Sequence, residues 1–175
     1  MTVHLVTLAH SNGALWVLRE GKMAFTDGSA MAGKRMKRGD RVLLYATKSC
    51  WKSYSREGGG LIFGEALVLN DVDKFRDPAR IAGLRFPWGC HLFIETLSPF
   101  GSGVSLADHV NELNLIKDRK PWSVAIRKSP VTLEMEDAAL LTRQFSAIAR
   151  PFDEVIDSYP QENANTSGDL VSGVE

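Results

Sequence analysis

The sequence predicts an α+β domain: a mostly antiparallel β-barrel with short flanking helices and a C-terminal helix. Three observations carry that expectation. Short runs rich in β-branched and aromatic residues recur at Val3–Ala9, Arg41–Thr47, Leu61–Asn70 and Cys90–Thr96, set among turn residues. Helical patterns are few and short, and they do not alternate with the strands as βαβ units would. One longer apolar stripe, Met135, Ala138, Ala139, Leu141, Phe145 and Ile148, has the spacing of an amphipathic helix.

Val3–Ala9 is the first expected strand. His10-Ser11-Asn12-Gly13 reads as turn material, with Ser11 a candidate N-cap. Ala14–Arg19 fits either one helical turn or a second strand. Residues 21–33 have no clear period, and Asp27-Gly28 signals a turn. Gly39, in Arg38-Gly39-Asp40, supplies the positive φ of a tight turn before the strand at Arg41. Residues 48–60 form a polar loop ending in Gly58-Gly59-Gly60. Both alternating faces of Leu61–Asn70 are apolar, so both are expected to be buried, and Gly64 marks a bulge or bend. Asp77–Ala82 reads as a helical turn. Leu84–Leu97 holds another strand, best defined at Cys90–Thr96. Ser105 is expected to cap a short helix over Leu106–Asn111. Trp122, Val124 and Ile126 alternate with Ser123, Ala125 and Arg127, a strand period. Thr132 is expected to cap the last helix, with Glu134, Glu136 and Asp137 near its positive end and Pro151 stopping it. From Tyr159 on, the composition reads as disorder. The expected organisation is one domain over 1–151 and an acidic, disordered tail over 152–175.

A chain of 175 residues is long enough to bury a core without metal or disulfide staples. Its net charge of zero conceals an asymmetry: residues 152–175 carry six acids and no Lys or Arg, which leaves 1–151 at +6. A moderately basic body suits an anionic partner. Cys50 and Cys90 lack CxxC spacing and no secretory h-region precedes them, so a reduced, cytoplasmic setting is expected. No apolar run approaches the ~18 residues of a membrane span, so no membrane partner is expected.

Several chemistries find no support. His4, His10, His91 and His109 form no HxH or HExxH pattern, so neither a metal nor another cofactor is expected. Gly58-Gly59-Gly60 lacks the Lys-Ser/Thr of a phosphate loop, and there is no GxSxG elbow. Cys50 lies between Lys48 and Lys52, which would favour a thiolate, but the reading as a stray thiol is preferred.

What remains is basic and aromatic. From Lys34 to Arg56 there are eight basic residues (Lys34, Arg35, Lys37, Arg38, Arg41, Lys48, Lys52 and Arg56) and one acid, Asp40, with Tyr45, Trp51 and Tyr54 interleaved. Cations pair with phosphates and exposed rings stack on bases. Trp51 serves either as such a platform or as an anchor folding its loop onto the core. A second basic group, Lys117, Arg119, Lys120, Arg127 and Lys128, flanks Trp122. Trp16 and Trp88 fit either core or pocket wall.

Two stretches resemble a known family. KRMKRGDRVLLYAT (34–47) and NLIKDRKPWSVAIRKSPVTLEMEDAALL (114–141) are similar, in order and at about seventy residues' separation, to two elements of the EVE family. The resemblance spans roughly residues 3–147. It implies a PUA-like barrel related to YTH and ASCH domains, and nucleic-acid binding, RNA or DNA, with a pocket for a modified base. By the same resemblance Trp51, Trp88 and Trp122 are expected as cage walls, Tyr45 as pocket lining and Arg127 as a polar or phosphate contact. Tyr54, from the basic-aromatic span, is expected to join the base pocket. Lys34, Arg35, Lys37, Lys48 and Lys52 are expected at phosphates. The chain departs from the family where Asp27-Gly28-Ser29 stands for an HGK element, and in a longer 48–60 loop. The expected function is therefore a non-enzymatic binding module. The alternatives are an ASCH-like hydrolase of modified pyrimidine nucleosides, using Lys22, Thr26 and Glu65, and a protein-interaction module docking through the acidic tail.

Overall fold

The computed structural model describes residues 1–51, 60–116 and 122–161. Nine strands form one curled, mixed sheet: β1 Val3–Leu8, β2 Lys22–Phe25, β3 Arg41–Ala46, β4 Leu61–Val68, β5 Asp73–Ile81, β6 Leu84–Leu97, β7 Val104–Ser105, β8 Val131–Thr132 and β9 Arg150–Pro151. The main path runs β2-β6-β4-β3-β1-β8, with β5 and β9 paired to β6 and β7 to β4. Among the described residues only β1 and β3 pair in parallel. No described pairing joins β8 to β2, so the sheet is a half-barrel. Among the described residues four α-helices lie around it: α1 Ser11–Glu20, α2 Ala30–Gly33, α3 Met135–Ser146 and α4 Phe152–Val155. The α+β class expected from strand spacing is the class observed.

Alternation assigns the two faces. In β1 and β3, Val6, Val42, Leu44 and Ala46 point inward with α1, β2 and β6, where they join Trp16, Val17, Met23, Cys90 and Leu92. Leu5, Leu43 and Tyr45 point the other way, to an outer cluster covered by Leu141 and Phe145 of α3, Leu113, Ile116 and Ile126. β4 is buried on both faces, as its uniformly apolar sequence requires. The expected irregularity at Gly64 is present: pairing steps from Leu44↔Gly64 to Tyr45↔Ile62, leaving Phe63 as the extra residue. A Cβ on Gly64 would lie 2.9 Å from Leu97 Cδ2.

Other expectations need correction. Ala14–Arg19 is helix, within α1. Its N-cap residue is His10 rather than Ser11, and no side chain caps it. Gly21, at φ 58°, closes the helix through an N–H bond to the Val17 carbonyl at 3.0 Å. Asp77–Ala82 is not helical. It completes β5, and Ala82 and Gly83, at φ 49° and 78°, form a two-residue hairpin turn into β6. Pro78 suggests a helix start in the sequence, yet among the described residues β5 pairs only with β6, an edge position where proline is tolerated.

Trp122–Ile126 is a 3₁₀ turn, not a strand. Val124 is 49% exposed while Ile126 is buried, so the alternation of apolar letters does not mark a buried face. Ser105 belongs to β7 and is followed by only one 3₁₀ turn, Ala107–His109. Thr132 lies in β8, opposite His4, and the N-cap of α3 is Glu134. The buried stripe of α3 is Asp137, Leu141 and Phe145, whereas Met135 and Ile148 are exposed. Pro151 sits in β9, past the end of α3. The packed body runs beyond 151: α4 contributes Val155, and Tyr159 is buried with its hydroxyl donating to the Ser98 carbonyl at 2.7 Å. Residues 162–175 of the expected tail lie outside the described ones.

Candidate functional site

Two clefts open on either side of the C-terminal end of β1. The first lies at the start of α1 and has a volume of about 250 Å³. Its aromatic walls are Trp16 of α1, Phe25 at the end of β2 and Phe86 of β6. Polar groups reach it from Thr7, His10, Asn12 and Ser29. Local sequence builds this arrangement. The 3.6-residue period of α1 turns Trp16 and Val17 inward, while the missing side-chain cap leaves the first N–H groups of the helix at the cleft. Gly13, on the rim, has no heavy atom within 4 Å of where a Cβ would stand, so its lack of a side chain keeps the mouth open. Ile81, Leu84 and Phe86 line it from the β5–β6 hairpin. Leu84 is 64% exposed, an apolar cost in water that a ligand would relieve.

The second cleft, about 600 Å³, is lined by Thr7, Tyr45, Thr47, Lys48, Ser49, Gly60, Trp122, Ser123, Ile126 and Arg127. It gathers four of the residues singled out in the sequence: Tyr45, Lys48, Trp122 and Arg127. Burial pushes the Tyr45 phenol up from its ordinary value, partly offset by a hydrogen bond from the Gly60 N–H. The hydroxyl therefore stays protonated at neutral pH and is a donor. The turn residues that wall the cleft are held to β1 by Thr7, whose N–H donates to Ser129 Oγ at 2.8 Å and whose hydroxyl donates to the Ile126 carbonyl at 3.2 Å.

Other expected site residues lie elsewhere. Trp51 is the anchor rather than a platform. It is buried, with its ring edge-on to Phe63, Phe100 and Tyr159 at centroid distances of 6.3, 5.4 and 6.1 Å. The hollow beside it measures about 30 Å³, room for a water and not for a base. Trp88 lines neither cleft. Its indole N–H donates to Asp27 Oδ1 at 2.9 Å, and Lys34 Nζ stands 4.3 Å from its ring centroid. Lys34 is thus engaged with an aromatic ring, and Lys37 pairs loosely with Asp71 at 3.6 Å. Arg35 is exposed in the same turn. Tyr54 and Lys52 fall outside the described residues.

The residues proposed for hydrolysis do not converge. Lys22 and Thr26 stand four positions apart across β2, or ~13 Å at strand rise. Thr26 Oγ1 is hydrogen-bonded to Ser29 at 3.0 Å, and Glu65 accepts from Arg41 at 2.7 Å. Among the described residues no cluster of His, Cys, Asp and Glu could hold a metal, and no helix is long and apolar enough to cross a membrane.

Cys50 and Cys90 are both free and buried, and burial pushes each thiol up to about 12. The stray-thiol reading of Cys50 follows from this rather than activation by Lys48. Both are expected to resist iodoacetamide at pH 8 in the native protein and to react within minutes once the chain is unfolded in guanidinium. Mass spectrometry of the alkylated protein reads the difference.

The sequence overlooked the α1 cleft, because His10-Ser11-Asn12-Gly13 looked like turn material. One signal was available: a glycine in the first turn of a helix costs about 0.5–1 kcal/mol relative to alanine, and here nothing crowds the position.

The curled α+β half-barrel is similar in fold to solved structures that include a YTH domain. The Mmi1 YTH domain, in a crystal structure of its complex with RNA, matches with a TM-score of 0.55 and 8% identity, over 83% of this chain and 78% of that one. Rpa0253 from Rhodopseudomonas palustris, a structural-genomics protein solved by NMR, matches with a TM-score of 0.51 and 19% identity, over 85% and 95%. The apo CPSF4-YTH domain of Toxoplasma gives 0.42 and 11%, over 84% and 86%. At such identities the likeness concerns the fold. No family model and no curated protein matches the chain.

Proposed function

We propose that the protein is a non-catalytic nucleic-acid reader of the EVE kind, taking one unstacked, modified base of a single strand into the α1 cleft. The observation that carries the reading is the cleft itself. It is an aromatic-walled hollow of about 250 Å³, with a few convergent polar groups at an uncapped helix start and a rim glycine that leaves the mouth clear. The shared fold with an RNA-bound YTH domain and the basic excess of residues 1–151 support it.

The energies are of the right order. Unstacking a base costs a few kcal/mol. Contact with an aromatic ring returns ~1–3 kcal/mol per base. Trp16 and Phe25 are largely buried where they line this cleft, so half-buried Phe86 is the ring most open to a base. A buried methyl mark adds only about 0.8 kcal/mol. Discrimination of a modification beyond a few-fold would have to come from His10, Asn12 or Ser29 being left unpaired by the wrong base. Two free, buried thiols suit a cytoplasmic setting.

Titration of intrinsic tryptophan fluorescence in a Trp122→Phe background with modified and unmodified nucleosides, and anisotropy of a labelled RNA hexamer on the wild-type protein, test the reading. Gly13→Leu is the informative variant. It adds bulk at the mouth while improving helix propensity by up to about 1 kcal/mol, so a loss of binding would not reflect unfolding. Binding is expected to fall at least roughly tenfold with an unchanged or raised Tm. Unchanged affinity in Gly13→Leu would remove the α1 cleft from consideration.

A further inference from the structure

We propose that the second cleft is a subsite for the nucleotide adjacent to the inserted base, which stacks on Trp122 while its phosphate meets Lys48 and Arg127. This rests on the reading of the α1 cleft as the base pocket.

Three observations point there. First, the two clefts share a wall. Thr7 lines both, and the partition between them is the short segment from Ile126 to Ser129, pinned to Thr7 by the two hydrogen bonds already described. A strand that inserts one base on one side of Thr7 would have the other cleft next to it for its neighbour. Second, the charge has one sign. Lys48 and Arg127 are exposed, neither has an acid within 4 Å among the described residues, and no described carboxylate lines the cleft. Two unpaired cations facing one hollow repel each other unless an anion joins them. Third, an aromatic ring and a hydroxyl are in place. Trp122 is half-buried, resting on the outer cluster with one side on the cleft, and the Tyr45 hydroxyl is held by Gly60 with its own proton available. At about 600 Å³ the hollow lies within the ~300–1,000 Å³ range of ligand sites.

The arrangement separates two readouts. A single nucleoside should use only the α1 cleft, whereas a strand should use both. The test compares adenosine and N6-methyladenosine with fluorescein-labelled hexaadenylate RNA, measured across a salt series. Trp122→Ala is expected to weaken the hexamer roughly 10- to 100-fold and leave nucleoside affinity within twofold. Lys48→Ala with Arg127→Ala, both exposed and harmless to packing, is expected to flatten the log–log salt slope by about 1.4, or ~0.7 per cation on a single strand. Arg143→Ala, an exposed charge of α3, serves as the control. Hexamer affinity and salt slope equal to this control in both cleft variants would overturn the proposal. If the cleft variants weaken the hexamer while Gly13→Leu affects neither probe, the α1 base pocket fails and the cleft stands as a strand contact by itself. Deoxyadenylate in place of the RNA reports whether the Tyr45 hydroxyl reads a 2′-OH. Tyr45→Phe should then erase any RNA preference.

Discussion

Asp137→Ala is expected to destabilise the protein by about 3–5 kcal/mol, seen as a Tm lower by roughly 10 °C. Asp137 is 1% exposed. Its two carboxylate oxygens accept the Asn114 N–H at 2.8 Å and the Leu115 N–H at 2.7 Å. Alanine would remove both charge-assisted hydrogen bonds, each worth about 1.5–3 kcal/mol, from an exposed Asn114 and a half-buried Leu115. Asn is a poor rescue, because an amide offers one acceptor and would set its NH₂ against the second N–H. The loss also reaches the second cleft. Residues 114–116 are the last described before the turn that carries Trp122, and Ile116 packs in the outer cluster beneath it. Hexamer binding should weaken in Asp137→Ala even at temperatures where the variant stays folded. A thermal or urea midpoint within about 1 kcal/mol of wild type would show that these bonds do not hold the segment.

Asp40→Ala is expected to cost about 2–4 kcal/mol. The carboxylate accepts the Thr2 N–H at 3.0 Å, the Lys37 N–H at 2.9 Å and His4 Nε2 at 3.0 Å. It thereby ties the entry of β1 to the turn before β3. His4 is 1% exposed, and its other ring nitrogen meets the Thr132 hydroxyl at 3.2 Å, so the chain of bonds extends to β8. Burial alone would raise the Asp40 carboxyl; the hydrogen bond from His4 and those from the Lys37 and Thr2 backbone outweigh it and hold the group below 3.8. A depressed carboxyl contributes stability that is present above its unfolded value and lost as pH falls through its folded value. Wild type should therefore lose stability below about pH 4, and the gap to Asp40→Ala should narrow there. Urea midpoints between pH 3 and pH 7 read this. A gap that stays constant across that range would contradict the assignment.

Strands buried on known faces were legible in the sequence. β1, β3 and β4 carry runs of β-branched and apolar residues, and the bulge at Gly64 announced itself through the glycine. Elements decided by distant partners were not. The alternation from Trp122 to Ile126 imitates a strand, yet the segment is a 3₁₀ turn closed by tertiary hydrogen bonds from Thr7, more than a hundred residues away. Asp137 looked like a charge complementing a helix start, and only the fold reveals that it satisfies a segment 22 residues upstream. Tyr159 sat in a composition that reads as disorder, but Trp51, Phe63 and Phe100 supply it with an aromatic neighbourhood.

The candidate site divides in the same way. Tyr45, Lys48, Trp122 and Arg127 were visible as basic and aromatic letters, and the fold brings them to one cleft. Trp16, Phe25 and Phe86 were not visible as a group, since aromatic residues on three separate elements look like ordinary core until the sheet curls. Trp51, the most conspicuous aromatic residue of the sequence, belongs to the core.

The central claim is that a base enters the cleft at the start of α1. A ¹H–¹⁵N NMR titration with hexaadenylate RNA and its N6-methylated counterpart addresses it directly. The expected result is concerted movement of the Trp16 indole N–H, the Asn12 and Gly13 amides and the hairpin amides from Ala82 to Phe86, all of them abolished in Gly13→Leu. Shifts confined to other surfaces, such as His91 and Phe93 on the outer face of β6, with the Trp16 indole unmoved, would contradict it.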